Sequence, residues 1–107
     1  MSQLHLKESP TLADLQQYVR AMAAERGFDK NTVEQRFQLL LEELGELAKA
    51  ARKQGGMRFA DDTSKRDVAE EAADVFIVFL GLCNLLGIDL EQAFRNKEEK
   101  NKQRVWK

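Results

Sequence analysis

The fold is decided by residues 33–54, which read VEQRFQLLLEELGELAKAARKQ. Apolar side chains recur in this stretch at intervals of three and four residues, which is the spacing of one helix face. They are Val33, Phe37, Leu40, Leu41, Leu44, Leu47 and Ala51. The pattern predicts one helix from Asn31 or Thr32 to Gln54, ended by the pair Gly55-Gly56. At about 1.5 Å per residue, this helix is longer than about 30 Å.

A second long helix is predicted from about Thr63 to Leu86, where Gly87 ends it. Only a short connection separates the two long helices, which favours an antiparallel hairpin. From Ala72 to Leu86 the second helix is apolar nearly all round, so it must be buried on every side. A chain of 107 residues has little material to cover it. We therefore expect a homo-oligomer with this helix at its centre, either a homodimer or a dimer-of-dimers tetramer.

Two shorter helices flank the hairpin. Thr11 is the expected N-cap of the first, with Asp14 in the capping-box position, and Gly27 ends it. Asp89 is the expected N-cap of the last, with Gln92 in the reciprocal position. The predicted fold class is all-α, a four-helix unit around a long antiparallel central hairpin. Residues 1–10 are expected to form a flexible arm, and residues 11–107 one domain.

The composition limits the classes of partner. The chain is 43% hydrophobic and 33% charged, with a formal net charge of −1, so no attraction to nucleic acid or membrane is expected. The longest apolar stretch, Val75 to Leu86, is shorter than the roughly 20 residues of a membrane span. The N-terminus lacks the basic-then-apolar pattern of a signal peptide. Cys83 is the only cysteine, which excludes a disulfide within the chain and fits a cytoplasmic location.

Two acidic motifs interrupt the apolar pattern of the long helices. The first is Glu42-Glu43-Leu44-Gly45-Glu46, and the second is Glu71-Ala72-Ala73-Asp74. With about 100° of rotation per residue, Glu43 borders the apolar face of its helix and Glu71 lies in line with a buried stripe. Glu46 and Asp74 lie beside them, whereas Glu42 and Glu70 point further towards solvent. Acids three positions apart share a helix face, so the hairpin predicts one cluster of four carboxylates.

Solvent exposure or ion pairing would also account for some of these acids. Most glutamates on helices are solvated surface residues. Ion pairs with Lys49, Arg52 or Arg66 would account for one or two of them. They account less easily for two acid pairs with the same spacing on facing helices, because like charges that close raise one another's pKa unless a cation intervenes.

The residue types in the motifs select the class of metal. Neither motif contains cysteine or histidine, and the single His5 lies in the N-terminal arm. Zinc sites favour nitrogen and sulfur ligands, and a di-iron bundle would carry Glu-x-x-His on its helices. Ligation by oxygen alone indicates Mg²⁺, with Mn²⁺ as a substitute. Because Mg²⁺ on carboxylates usually completes its shell with water and substrate phosphate, the site predicts phosphate chemistry.

The two motifs and their spacing resemble the signature of the MazG-like nucleoside triphosphate pyrophosphohydrolases, of the all-α NTP pyrophosphatase superfamily. The resemblance covers about residues 12–106. It extends to the sequence Glu46-Leu47-Ala48-Lys49 and to a last helix that carries Lys97, Asn101 and Arg104.

The resemblance implies Mg²⁺-dependent hydrolysis of a (deoxy)nucleoside triphosphate to the monophosphate and pyrophosphate, a house-cleaning activity on non-standard or surplus nucleotides. It implies that Glu43, Glu46, Glu71 and Asp74 ligate the ion. Glu42, together with Glu46, would then be catalytic and act on the attacking water.

The last helix offers a candidate substrate-binding face. Lys97, Asn101 and Arg104 recur at four and three residues, so they share one side of the helix. Lys97 and Arg104 suit the phosphates of the substrate, and Asn101 suits its base or sugar.

Two further functions stay open at this point. One is a non-catalytic helical adaptor that uses the hairpin only to oligomerise. The other, within the same superfamily, is hydrolysis of phosphoribosyl-ATP. The base preference of the enzyme is also open.

Overall fold

The computed structural model describes residues 2–53 and 62–104, without the side chains of residues 62–66. Within these ranges the chain forms four α-helices and no strand, which confirms the all-α prediction. The helices are α1 (Leu12–Arg26), α2 (Val33–Lys53), α3 (Asp62–Leu85) and α4 (Leu90–Lys102). Gly55-Gly56, where the sequence predicts the end of α2, lies outside the described residues.

The ends of the helices follow local chemistry. The hydroxyl of Thr11 accepts a hydrogen bond from the backbone N–H of Asp14, whose carboxylate accepts one from the N–H of Thr11. Asp89 caps α4 by accepting from the N–H of Gln92 at 3.1 Å. The described contacts include no return bond from the N–H of Asp89 to the side-chain oxygen of Gln92, and the amide nitrogen of Gln92 donates to Asn96 one turn further on at 2.9 Å.

The helices α2 and α3 pack against each other more extensively than any other pair of described helices. Glu43 on α2 lies beside Glu71 and Asp74 on α3, whereas Arg36, earlier on α2, lies against Gly81, later on α3. A step back along α2 is therefore a step forward along α3, and the hairpin is antiparallel. The helix α1 packs on α3, and α4 packs on α1 after leaving α3 at an angle of 95°.

A polar junction joins α1 to the turn between α3 and α4. The side chain of Gln16, only 7% exposed, donates to the carbonyl of Ile88 at 2.8 Å and to Oδ1 of Asn84 at 3.0 Å. Its own oxygen accepts from the N–H of Leu90 at 2.8 Å, and Asn84 donates back to the carbonyl of Gln16 at 3.0 Å. Every polar atom that this buried glutamine offers is thus satisfied within the chain.

A single chain covers its apolar helices only in part. On α3, Leu80, Leu82 and Cys83 are buried, but Phe76 and Phe79 stay 42% and 36% exposed. On α2 and α4, Leu41 and Phe94 are exposed by 67% and 68%. One chain therefore does not bury α3 on all sides as its composition requires.

Among the described residues, no single helix is long and apolar enough to cross a membrane. Only α3 and α4 taken together, across their bend of 95°, meet that test by length and composition.

Candidate metal centre

Three carboxylates from the two long helices meet on the hairpin. Glu43 comes from α2, and Glu71 and Asp74 come from successive turns of α3. One oxygen atom of each lies within 4.8 Å of the other two. Glu43 and Glu71 are half-buried and Asp74 is exposed. The cluster can thus be reached from solvent, although two of its members sit at the edge of the helix packing.

The charge of this cluster is not balanced within the described part of the chain. Burial raises the pKa of the Glu43 carboxyl above its ordinary value, and four neighbouring carboxylates raise it further. In order of decreasing effect, these are Asp74, Glu71, Glu46 and Glu42. The ion pairs Lys7–Asp14, Glu91–Arg95 and Glu99–Lys102 lie elsewhere in the described part of the chain. None of them neutralises the cluster.

The unbalanced charge argues against ion pairing as the reason for these acids. Lys49 and Arg52, which the sequence offers as partners, form no ion pair with the cluster, and the side chain of Arg66 lies outside the described residues. A bound cation would relieve the repulsion that raises the pKa of Glu43. The donor set is made of carboxylate oxygen alone, which suits a hard divalent ion. The residues present therefore fit a metal centre.

Glu46 does not belong to the group of three. It is exposed and lines a neighbouring cleft of about 170 Å³. Its charge still contributes to the raised pKa of Glu43, so the two carboxylates are close. Glu42 also contributes to that shift and is exposed on the surface of α2. The two candidate catalytic carboxylates thus flank the cluster on its solvent side.

The candidate substrate-binding face on α4 lies away from the cluster. From Asp74 to the end of α3 the chain rises roughly 16 Å, and Lys97 lies roughly 10 Å along α4. With the helices at 95°, these steps separate Asp74 from Lys97 by on the order of 20 Å. Asn101 and Arg104 lie still further along the same helix. Within one chain the structure does not bring the α4 face together with the acids.

Asn101 shows one feature that the sequence does not reveal. Its Oδ1 is buried and, among the described residues, has no hydrogen-bond partner. A buried acceptor without a partner is costly. This amide oxygen therefore has capacity for a further donor.

Two lysines beside the cluster are absent from the set of site residues inferred from the sequence. Lys49 and Lys53 line the cleft that also contains Glu46 and Glu71. With Glu43 at zero and about 100° per residue, Lys49 falls near −120° and Lys53 near −80°. Glu42 and Glu46, near −100° and −60°, occupy the same sector of α2. The helical wheel that selects the acids would have found these two lysines.

The burial of Arg36 is a further feature that the sequence pattern does not predict. Its side chain is only 6% exposed, and its Nη2 donates to the carbonyl of Phe28 at 2.8 Å. Burial lowers the pKa of its guanidinium, and its Nε has no partner among the described residues. Arg36 lies seven residues before Glu43 and therefore on the same side of α2. It lies N-terminal to Glu43 on α2, whereas the two lysines lie C-terminal to it.

Comparison with known proteins adds two findings. Residues 12–101 match the sequence model of the family described as phosphoribosyl-ATP pyrophosphohydrolase. The chain is also 34% identical over 96 residues to a protein of Salmonella phage PMBT28 named dATP/dGTP diphosphohydrolase. This match covers 90% of the present chain but only 28% of the phage protein. The chain thus spans less than a third of the relative that it matches.

Proposed function

Because the chain belongs to the phosphoribosyl-ATP pyrophosphohydrolase family, within the MazG-like all-α superfamily, we propose that it hydrolyses deoxynucleoside triphosphates to the monophosphate and diphosphate. The observation that carries the proposal is the cluster of Glu43, Glu71 and Asp74, whose charge no described side chain balances. The name of the phage relative makes dATP and dGTP the first substrates to test.

The proposed metal ligands are Glu43, Glu71 and Asp74, with Glu46 beside them, and the proposed ion is Mg²⁺, for which Mn²⁺ can substitute. When bound, such an ion neutralises phosphate charge and polarises the phosphoryl oxygens. Without it, the clustered carboxylates would repel a triphosphate. Cation binding is therefore expected before substrate binding.

The proposed reaction is a displacement at the α-phosphorus. The oxygen of a water molecule forms a bond to the α-phosphorus. At the same time, the bond between the α-phosphorus and the oxygen that bridges it to the β-phosphate breaks. A proton of the water passes to the carboxylate of Glu42 or Glu46, both of which are exposed beside the cluster. The electron pair of the broken bond leaves with the diphosphate. Positioning and charge stabilisation supply most of the catalysis in such a transfer.

The site is proposed to be completed by a second copy of the chain. Phe76 and Phe79 on α3, with Leu41 on α2, leave an apolar surface that a homodimer or dimer-of-dimers tetramer would cover. Lys97, Asn101 and Arg104 are proposed to bind substrate from that second copy, because within one chain α4 diverges from α3. The cytoplasmic location and the division into arm and domain stay predictions.

A product assay tests the proposed function. The protein is incubated with a panel of ribo- and deoxynucleoside triphosphates and Mg²⁺, and the products are separated by ion-exchange chromatography. Monophosphate and diphosphate are expected, with omission of the divalent ion as the control. Turnover of none of the nucleotides, or release of orthophosphate, would contradict the proposal.

The description of the matching family favours one second candidate, hydrolysis of phosphoribosyl-ATP. Including this compound in the panel decides between the two, because the preferred substrate has the higher kcat/KM. A non-catalytic adaptor would show no turnover and no Mg²⁺ binding in a calorimetric titration.

A further inference from the structure

The cleft beside the carboxylate cluster carries charges of both signs. It is lined from α2 by Glu46, Lys49, Ala50 and Lys53, and from α3 by Asp67, Glu70 and Glu71. Glu71 belongs both to the cleft and to the group of three carboxylates. The cleft and the candidate metal centre are therefore continuous. Its volume of about 170 Å³ leaves room for a phosphate-sized anion beside the cluster.

The two lysines of the cleft are placed to act together. Lys49 and Lys53 are four residues apart and lie on one side of α2. Side chains on an α-helix lean towards its N-terminus, so both lysines lean towards Glu46 and the cluster. Two ammonium groups on adjacent turns repel each other. An anion between them would remove this repulsion.

The acids of the cleft do not neutralise the charges of Lys49 and Lys53 through ion pairs. Neither lysine forms an ion pair with a described carboxylate, although four acids line the same cleft. Both ammonium groups are exposed on the helix surface. They are therefore available to a ligand that brings more negative charge than a single carboxylate does.

Towards the other end of the hairpin, Arg20 and Arg36 line a separate cavity beside Gly81 and Asn84. Beyond Asp74 the next residues on that side of α3 are Val75 and Val78, both half-buried. Further on, the guanidinium of Arg36 is buried over Gly81 and engaged by the carbonyl of Phe28. The two lysines towards the C-terminal end of α2 thus form no ion pair with a described carboxylate, whereas Arg20 and Arg36 at the other end donate to Asn84 and to the carbonyl of Phe28.

We propose that Lys49 and Lys53 bind the β- and γ-phosphates of the substrate and the diphosphate that leaves. The nucleotide then lies along the α2–α3 hairpin with its terminal phosphates in the cleft, towards the C-terminal end of α2, and its nucleoside towards Val75 and Val78. As the α-phosphate bond breaks, negative charge grows on the diphosphate, which the two ammonium groups stabilise. This inference rests on the proposed function, but the anion site itself is tested separately below.

The test compares charge-removing variants of the cleft with a matched control. Lys49→Gln, Lys53→Gln and the double variant are measured beside the double variant Lys30→Gln/Lys102→Gln, which removes the same charge far from the cleft. Two quantities are recorded with saturating Mg²⁺: KM and kcat for dATP, and the Kd of inorganic diphosphate by calorimetry. Thermal unfolding checks that each variant is folded.

Each single variant is expected to raise KM and the diphosphate Kd by roughly tenfold, as for one lost charge-assisted hydrogen bond. The double variant should raise both by more, and Lys49→Arg/Lys53→Arg should restore most of the affinity. Affinity for Mg²⁺ should stay the same or rise, because the removed charges repel the ion. A double variant within twofold of wild type in both quantities would overturn the inference. If wild type hydrolyses no nucleotide, the proposed function fails, and the diphosphate Kd alone decides whether the lysines bind it.

Discussion

The junction around Gln16 and the cluster around Glu43 both place polar side chains at the edge of apolar helix packing, but they differ in how those side chains are satisfied. Gln16 makes three hydrogen bonds through its side chain, and all its partners belong to the chain. The charged neighbours of Glu43 in the described part of the chain are carboxylates, which together with burial raise its pKa. A polar group that the chain itself satisfies stabilises the fold. A cluster that the chain leaves unbalanced stores repulsion that a ligand can relieve.

The largest expected effect is the loss of kcat/KM when one carboxylate of the cluster is removed. Glu71→Gln should lower kcat/KM for dATP by on the order of 100-fold or more, because a carboxylate is removed from the candidate metal centre. In the absence of divalent ions the variant should be as stable as wild type or more stable, since one repulsive charge is gone. Hydrolysis assays and thermal unfolding measure the two effects, with the exposed Glu98→Gln as control. Full activity in Glu71→Gln would exclude the cluster as the metal centre.

At the junction around Gln16 we expect the opposite result, a loss of stability without a change in Mg²⁺ affinity. Gln16→Leu should lower the free energy of unfolding by about 2–4 kcal/mol, because the N–H of Leu90 and the carbonyl of Ile88 lose their buried partner. The affinity of the folded variant for Mg²⁺ should be unchanged. Urea denaturation and calorimetry measure these quantities. Mg²⁺ affinity that falls with stability would show that the two regions are coupled.

Arg36 lies between these two cases, because only part of its guanidinium is satisfied. A Cβ at position 81 would lie 2.7 Å from its Nη1. Gly81→Ala should therefore cost about 1–2 kcal/mol of stability, and the cost should vanish in an Arg36→Met background. Gly45→Ala is the matched control, since nothing lies within 4 Å of a Cβ there, and it should stabilise α2 by about 0.5–1 kcal/mol. A double-mutant cycle by urea denaturation measures the coupling, and additive effects would contradict it.

The smallest expected effect is the pH dependence of metal-free stability. The pKa of Glu43 is raised above its ordinary value of 4.5, so between that value and the folded pKa the folded chain binds more protons than the unfolded chain. Stability should fall as pH rises from about 4.5 to the folded pKa, and then level off. The stability gain of Glu43→Gln over wild type should therefore grow through this window, as measured by denaturation in a chelating buffer.

Asp14 provides the control of opposite sign. The backbone N–H of Thr11, and then Lys7, lower the pKa of its carboxyl below the ordinary 3.8. Its contribution is complete above 3.8 and is lost as pH falls through the folded pKa. Asp14→Asn should thus be less stable than wild type at neutral pH, and the deficit should shrink on acidification.

For Glu43→Gln, a gain in stability that is independent of pH would contradict the raised pKa of Glu43.

Much of the candidate site could be predicted from the sequence, because the rotation of about 100° per residue determines which acids share a helix face. Once α2 and α3 are recognised, rotation per residue alone places Glu43 and Glu71 at the packed edge and Glu42 and Glu70 towards solvent, and the exposures agree. The capping box of Thr11 is equally local, since its partners are three residues apart. The antiparallel hairpin is likewise predicted from the sequence, because a short connection between two long helices favours that arrangement.

Other features depend on how the helices meet. The helical wheel predicts four carboxylates together, but in the structure only Glu43, Glu71 and Asp74 form the group of three. Glu46 lines the neighbouring cleft instead. This difference depends on the distance between α2 and α3, which the helical wheel does not contain. The helix α4 leaves α3 at an angle of 95° and packs on α1, which moves Lys97 away from the acids of its own chain. The burial of Arg36 requires Gly81 on another helix, 45 residues later in the sequence.

The sequence by itself thus determined the four helices, the hairpin and the carboxylates that share a face, because helix propensity, capping and periodicity act over a few residues. Only the tertiary structure decided which carboxylates meet within 4.8 Å, that Lys49 and Lys53 line a cleft continuous with them, and that the α4 face lies apart. These outcomes depend on interhelical distances and angles, which arise from packing between residues far apart in the chain.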